Sequence, residues 1–266
     1  MKSCDNGLVD THAHLCDPAF DSDRTDVLAR ARAAGIGEVL AVGENLADAQ
    51  KNLELAATHP MIRPAAGLYP TVLDLEQAAQ MRQFIRQRRD RLFAIGEVGL
   101  DYWAVQEESQ RALQREIFAG FIALAEDVDL PLNVHSRSAG RHAVALLLER
   151  NATRVQLHAF DGRSSAALPA VEAGFFFSIP PSIARSEQKQ KLVRQLPLSC
   201  LLVETDSPVL GPSAQERNEP ANAVLSIQWI AAIKDISEAQ VVEAVNENTY
   251  HLYGELGSCL EPFARA

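Results

Sequence analysis

Short apolar runs alternate along the chain with longer stretches whose apolar residues recur every three or four positions. The short runs cover residues 8–11, 38–42, 62–66, 92–95, 132–134, 155–157, 175–179 and 201–204. Most are nearly continuous in apolar character, the pattern of parallel strands buried on both faces. The longer stretches predict helices over 23–34, 46–58, 74–91, 107–127, 139–150, 165–173, 186–195, 221–234 and 237–250. In the 107–127 stretch, Leu113, Ile117, Phe121, Leu124 and Ala125 share one face. Gly35 offers a stop for the first helix. No tandem repeat, low-complexity segment or Gly/Ser linker interrupts the alternation.

Eight strands alternating with helices predict an α/β fold, a single (β/α)8 TIM barrel spanning 1–266. A doubly wound open sheet is the runner-up. It would carry a glycine-rich phosphate loop after the first strand. That place holds Asp10-Thr11-His12-Ala13-His14 instead, and no G-x-G-x-x-G or Walker motif occurs.

The polar residues that end the strands change the picture. The first strand ends in His12 and His14, the fourth in Glu97, the fifth in His135, the sixth in His158 and the eighth in Asp206. In a barrel these ends converge on one face, where such folds do chemistry. Residues two apart on an extended strand point the same way, so His12 and His14 can reach one ion. Glu97 follows Leu92, Phe93, Ala94 and Ile95, and a lone carboxylate there is costly to desolvate. A divalent cation is its natural partner; an arginine is the alternative. His135 and His158 each read singly as core or rim histidines, and together as ligands. Asp206 can bind a metal and accept a proton from water, or merely cap the Ser207-Pro208 turn. Glu204, two residues earlier, is placed to support a ligand from behind.

Length and composition agree with one soluble domain: 266 residues, 47% hydrophobic and 23% charged. The net charge of −10 argues against a broad basic surface for nucleic acid. It leaves room for a nuclease in which metals and a few arginines hold a phosphate. Cys4, Cys16, Cys200 and Cys259 have no C-x-x-C spacing and read as reduced thiols, with Cys200 in the core. The N-terminus has no apolar signal region and no run nears the roughly 18–20 residues of a membrane span, so a cytoplasmic location and no membrane contact are expected. No obligatory protein partner is evident.

These motifs resemble those of the TatD family of metal-dependent hydrolases, within the amidohydrolase-like barrels. The matching stretches are Asp10-Thr-His-Ala-His-Leu15, Gly96-Glu-Val-Gly-Leu-Asp-Tyr102, Asn133-Val-His-Ser-Arg-Ser-Ala139, Leu157-His-Ala-Phe-Asp-Gly162, Glu204-Thr-Asp-Ser-Pro208 and Arg217-Asn-Glu-Pro220. They run through nearly the whole chain. Residues 135–140 and 175–198 are especially similar to the third animal TatD-domain subgroup. The resemblance implies two divalent metal ions (zinc, manganese, iron or magnesium), one held by His12, His14 and Asp206 and one by His135 and His158. Glu97 would bridge them. It also implies a DNA or other phosphodiester substrate and a deoxyribonuclease of 3′–5′ exonuclease type. Many members read Gly-x-His-Pro after the third strand, where this chain has Gly67-Leu68-Tyr69-Pro70.

A metal-activated water with Asp206 as general base, beside Glu97, is the expected chemistry. Arg137, Arg163 and Arg217, in loops after strands five, six and eight, are candidates for phosphate contact, with surface ion pairs as the alternative. Tyr69 is a further substrate-binding candidate. Tyr102 and Trp103 either stack on a base or pack under a loop. Two rivals use the same metal centre: a D-aminoacyl-tRNA deacylase and another amidohydrolase-like ester or amide hydrolase. A carbamylated-lysine bridge is disfavoured because Lys2, Lys51, Lys189, Lys191 and Lys234 avoid the strand ends. A non-catalytic barrel has little reason to gather six such ligating groups.

Overall fold

In a computed structural model, described for residues 7–254, eight strands alternate with helices. The strands are β1 (Leu8–Ala13), β2 (Ile36–Ala41), β3 (Ile62–Ala66), β4 (Ala94–Gly99), β5 (Leu132–His135), β6 (Val155–Leu157), β7 (Phe176–Ile179) and β8 (Leu201–Val203). The helices are α1 (Arg24–Ala33), α2 (Leu46–Thr58), α3 (Leu75–Arg88), α4 (Glu108–Val128), α5 (Gly140–Glu149), α6 (Ser164–Glu172), α7 (Glu187–Gln195), α8 (Ala223–Lys234) and α9 (Glu238–Tyr253). Each strand pairs in parallel with the next, from β1 through to β8. The β8–β1 seam is tied by Asp206 N donating to His12 O and His14 N donating to Ser207 O, both at 2.8 Å. The Thr11 hydroxyl adds a bond to Val203 O at 2.9 Å. The predicted barrel is the observed one.

Several boundaries differ, and one matters. The fourth run, predicted over 92–95, is the strand Ala94–Gly99, so Glu97 lies within the ladder and not after it. Glycines carry no apolar signal, yet Gly96 and Gly99 sit where the neighbouring strand comes too close for a side chain. A Cβ on Gly96 would lie 2.6 Å from the Asn133 Cβ, and one on Gly99 would lie 2.1 Å from His135 O. β1 likewise runs on to Ala13, which places His12 in the strand. The helix predicted over 74–91 stops at Arg88 and tightens into a 3-10 turn, Arg89–Arg91. Cys16 and Cys200 are buried as free thiols, while Cys4 and Cys259 lie outside the described residues.

Phe118 and Phe121 of α4 pack in the core between helices and barrel, with Phe160, Phe175 and Phe177 from β7 and the loops beside it, all fully buried. Inside, Leu40, Val42, Ala65, Ala94, Phe176 and Leu202 pack against Leu252 and Tyr253 at the end of α9. This helix, begun by a Ser237–Gln240 capping box, therefore plugs the end opposite the polar strand tips. Among the described residues, no helix is long and apolar enough to cross a membrane.

Gly99 has φ of +147° and abuts the β5 backbone. Gly99→Ala is expected to cost about 1–3 kcal/mol in backbone strain alone, plus the displacement of β5. Urea unfolding measures this, and an unchanged midpoint contradicts the close approach.

Candidate active site

Glu97 is 2% exposed and lies among four imidazoles. Its Oε1 faces His135 Nδ1 at 2.5 Å and His158 Nε2 at 3.3 Å. Its Oε2 faces His14 Nε2 at 3.4 Å and His12 Nε2 at 3.8 Å. Asp206 Oδ1 adds to the second group, 3.4 Å from His12 Nε2 and 3.3 Å from His14 Nε2. The two nitrogens of His12 and His14 are themselves 3.3 Å apart. Six side chains from five strands thus form two half-sites that share one carboxylate. All six were named from the sequence.

A second layer of groups aims these ligating atoms. Asn133 Oδ1 is 2.7 Å from His12 Nδ1, leaving Nε2 for the site. Asn133 is fixed in turn by its bonds to Thr11 O and to the Tyr253 hydroxyl of α9. Asp101 Oδ2 holds His135 Nε2 at 3.1 Å. Glu204 Oε2 holds His158 Nδ1 at 3.2 Å, as its position suggested, and accepts from the Ser178 hydroxyl at 2.6 Å. Its Oε1 accepts from Ala159 N at 2.8 Å, so Glu204 is occupied as an orienter. Asp10 accepts from Thr205 N and Oγ1, and burial pushes its carboxyl up to about 8 against those bonds. Asn133 and Asp101 had no role in the sequence reading. Asn133 lies two residues before His135, on the same face of β5, and that spacing was the available signal.

The charges show what the pocket lacks. Among the described residues, neither Glu97 nor Asp206 pairs with a lysine or arginine; both face only imidazoles. Burial opposes their ionisation, but the His135 charge and the imidazole hydrogen bonds hold Glu97 well below the usual range. Asp206 is likewise held low, against burial, by the His158 charge and by hydrogen bonds from His12 and His14. Conversely, burial favours a neutral His14, yet Asp206 and Glu97 raise it to about 10. His158 is raised by Glu204 and Asp206 against the same penalty. The sets His12–His14–Glu97 and Glu97–His135–His158 each bring one atom per residue within 4.8 Å of the others, which fits a divalent ion in each.

The expected substrate residues fare unequally. Tyr69 sits beside the centre, its ring 5.1 Å from that of His135, and burial keeps its hydroxyl protonated. Arg217 is tied down: it donates to both oxygens of Asp23, at 2.9 and 2.6 Å, and lies over Phe20. Arg163 is exposed at the start of α6. The Arg137 guanidinium covers the exposed Trp103 ring at 3.8 Å. Tyr102 is buried, with Arg111 over its ring and Arg115 donating to its hydroxyl at 3.0 Å, so it packs under the loop.

Comparison with known proteins matches this architecture. The family model described as TatD related DNase matches residues 9–254. The chain is 44% identical to "Deoxyribonuclease TATDN3" of Homo sapiens, covering 98% of this chain and 100% of that one. It is 30% identical to "Uncharacterized metal-dependent hydrolase YabD" of Bacillus subtilis, covering 92% and 98%. The solved structure of the TatD homologue YJJV from Escherichia coli superposes with a TM-score of 0.85 at 26% identity, covering 92% of this chain and 97% of that one. The expected resemblance to the third animal subgroup is thereby met, and the chain belongs to the family of TatD-related DNases.

Proposed function

We propose that the chain is a metal-dependent deoxyribonuclease that hydrolyses phosphodiester bonds, shortening single-stranded DNA from its 3′ end. One observation carries this reading: the buried Glu97 turns one oxygen to His135 and His158 and the other to His12 and His14. Such a carboxylate is built to bridge two cations. His12, His14 and Asp206 would hold one, and His135 and His158 the other. Two divalent ions so held polarise a phosphoryl oxygen and lower the pKa of water toward neutrality. The imidazole-rich set favours zinc, then manganese, iron and magnesium. The names of the relatives supply the DNA substrate. The free buried thiols of Cys16 and Cys200 suit a cytoplasmic compartment.

The chain's own groups do the rest. Asp206 is kept ionised by its imidazole neighbours, so it can take a proton from the attacking water. Asn133, Asp101 and Glu204 leave His12 Nε2, His135 Nδ1 and His158 Nε2 facing the centre. The Tyr69 hydroxyl, protonated at the rim, can donate to a phosphate oxygen. Trp103 under Arg137 offers a flat, cationic face on which a base can stack.

Metal-replete and chelated protein should be compared on an end-labelled single-stranded oligonucleotide and on D-aminoacyl-tRNA. Metal-dependent shortening from the 3′ end is expected; ester hydrolysis with the oligonucleotide intact overturns the reading. Asp206→Ala should lower turnover by about 100-fold or more, the usual worth of a proton acceptor. Turnover close to wild type in that variant sinks the general-base assignment. Glu204→Gln should weaken metal affinity by about 10–100-fold, since the ring it orients loses its anionic partner. Equilibrium dialysis decides that.

Metal affinity should also depend on pH. With its pKa raised to about 10, His14 is protonated through neutrality until a cation displaces the proton. Affinity should then rise with pH, by up to about tenfold per unit for each proton released. Calorimetry in buffers of different ionisation enthalpy counts those protons. An affinity flat across about pH 6 to 8 contradicts the argument.

A further inference from the structure

We propose that Lys189 is a phosphate-binding residue: α7 carries its ammonium to the rim beside His158, where it grips a backbone phosphate of the DNA strand. This inference rests on the nuclease reading. The placement comes from the geometry. Lys189 lies in the first turn of α7, whose N-cap Ser186 accepts from its backbone N–H. From there Nζ reaches to 3.5 Å from Ala159 O, and Ala159 directly follows His158 and donates to Glu204. The side chain is part-buried in this position.

Its surroundings leave that charge unsatisfied. An ammonium has three protons to donate. Among the described residues it finds one acceptor, at the long limit of a hydrogen bond. The carboxylates whose charges reach it are Glu204, Asp161 and Asp206. Each is committed elsewhere. Glu204 accepts from His158, Ser178 and Ala159. Asp161 accepts from Ser138 N at 2.7 Å. Asp206 faces His12 and His14. The nearby carbonyls of Phe160 and Gly162 accept from Gln188. Burial pulls the Lys189 pKa below the ordinary lysine value, and an arriving anion would offset that penalty.

The alternatives among the cations are weaker. Arg217 is bound to Asp23, and the Arg137 guanidinium sits over the Trp103 ring. Arg185 is turned to Gly211 O at 3.2 Å and adds its positive charge near Lys189. A compact lysine charge suits a phosphate approached end-on. The sequence gives no hint of this, because Lys189 stands seventeen positions from Asp206 and thirty-one from His158 in the chain order. Helix α7 alone brings it back over the β6 tip.

The test uses full-length protein loaded with manganese or zinc, with Lys189→Gln, Lys189→Arg and wild type acting on a single-stranded oligonucleotide. Metal content and melting temperature are measured alongside. Lys189→Gln should raise KM by on the order of tenfold, with kcat and metal content little changed, and Lys189→Arg should restore most of the affinity. The log–log dependence of 1/KM on salt should flatten by about 0.7 in Lys189→Gln, the share of one single-strand phosphate. An oligonucleotide with one uncharged methylphosphonate linkage at the contacted position should penalise wild type but not Lys189→Gln. An unchanged KM and salt slope in Lys189→Gln, with wild type active, overturns the proposal. So does loss of metal from Lys189→Gln, which would make the residue a prop for the His158 loop. If wild type binds metal and leaves DNA intact, the nuclease reading falls first, and this inference with it.

Discussion

A carboxylate buried among four imidazoles cannot be stable as a bare anion. Glu97 imposes that constraint, and the rest of the structure answers it. Its two oxygens must be matched from both sides, so β1 supplies His12 and His14 while β5 and β6 supply His135 and His158. Each imidazole must then turn the correct nitrogen inward, which requires Asn133, Asp101 and Glu204 behind them. Those partners need partners of their own, and the chain of bonds continues through Ser178, Gln156 and the Tyr253 hydroxyl into α9. The site and the plug of the barrel are thus one hydrogen-bonded body. Buried polar networks of this kind are favourable only when every member is satisfied.

The same network explains why the barrel tolerates so much charge in its interior. Asp10, Glu97, Glu204 and Asp206 are all buried at one end. Asp10 is surrounded by Thr205 and the His12 backbone, and Glu204 by donors from the β6 tip and from β7. Glu97 and Asp206 instead turn their oxygens to the inward imidazole nitrogens, the side from which divalent cations could be held. Where the family commonly has histidine after the third strand, Tyr69 offers a hydroxyl and an aromatic edge against His135. That exchange alters the group beside His135 while leaving the six inward groups in place.

Much of the fold was legible because hydrophobic burial writes itself into the chain. Strands covered on both faces are apolar throughout, and helices covered on one face repeat with their turn. The run at 92–95 stopped four residues short of the strand's end because glycines forced by strand proximity look like a break when read linearly. Polar residues closing apolar strands were equally legible, since desolvating them needs a reason. Spacing of two along β5 would also have put Asn133 on the inward face with His135, from which it reaches His12.

Sequence alone determined the barrel, its strand count and the six inward groups, because each is a local pattern repeated in order. Tertiary structure decided the rest. Arg217 and Tyr102 look available in the sequence and are held by Asp23 and Arg115 in the fold. Trp103 and Arg137 meet only because the loops after β4 and β5 lie side by side. Lys189 arrives beside His158 from a helix that follows the next strand. Which charged groups are paired and which stay free depends on contacts between distant segments, and no periodicity along the chain records those.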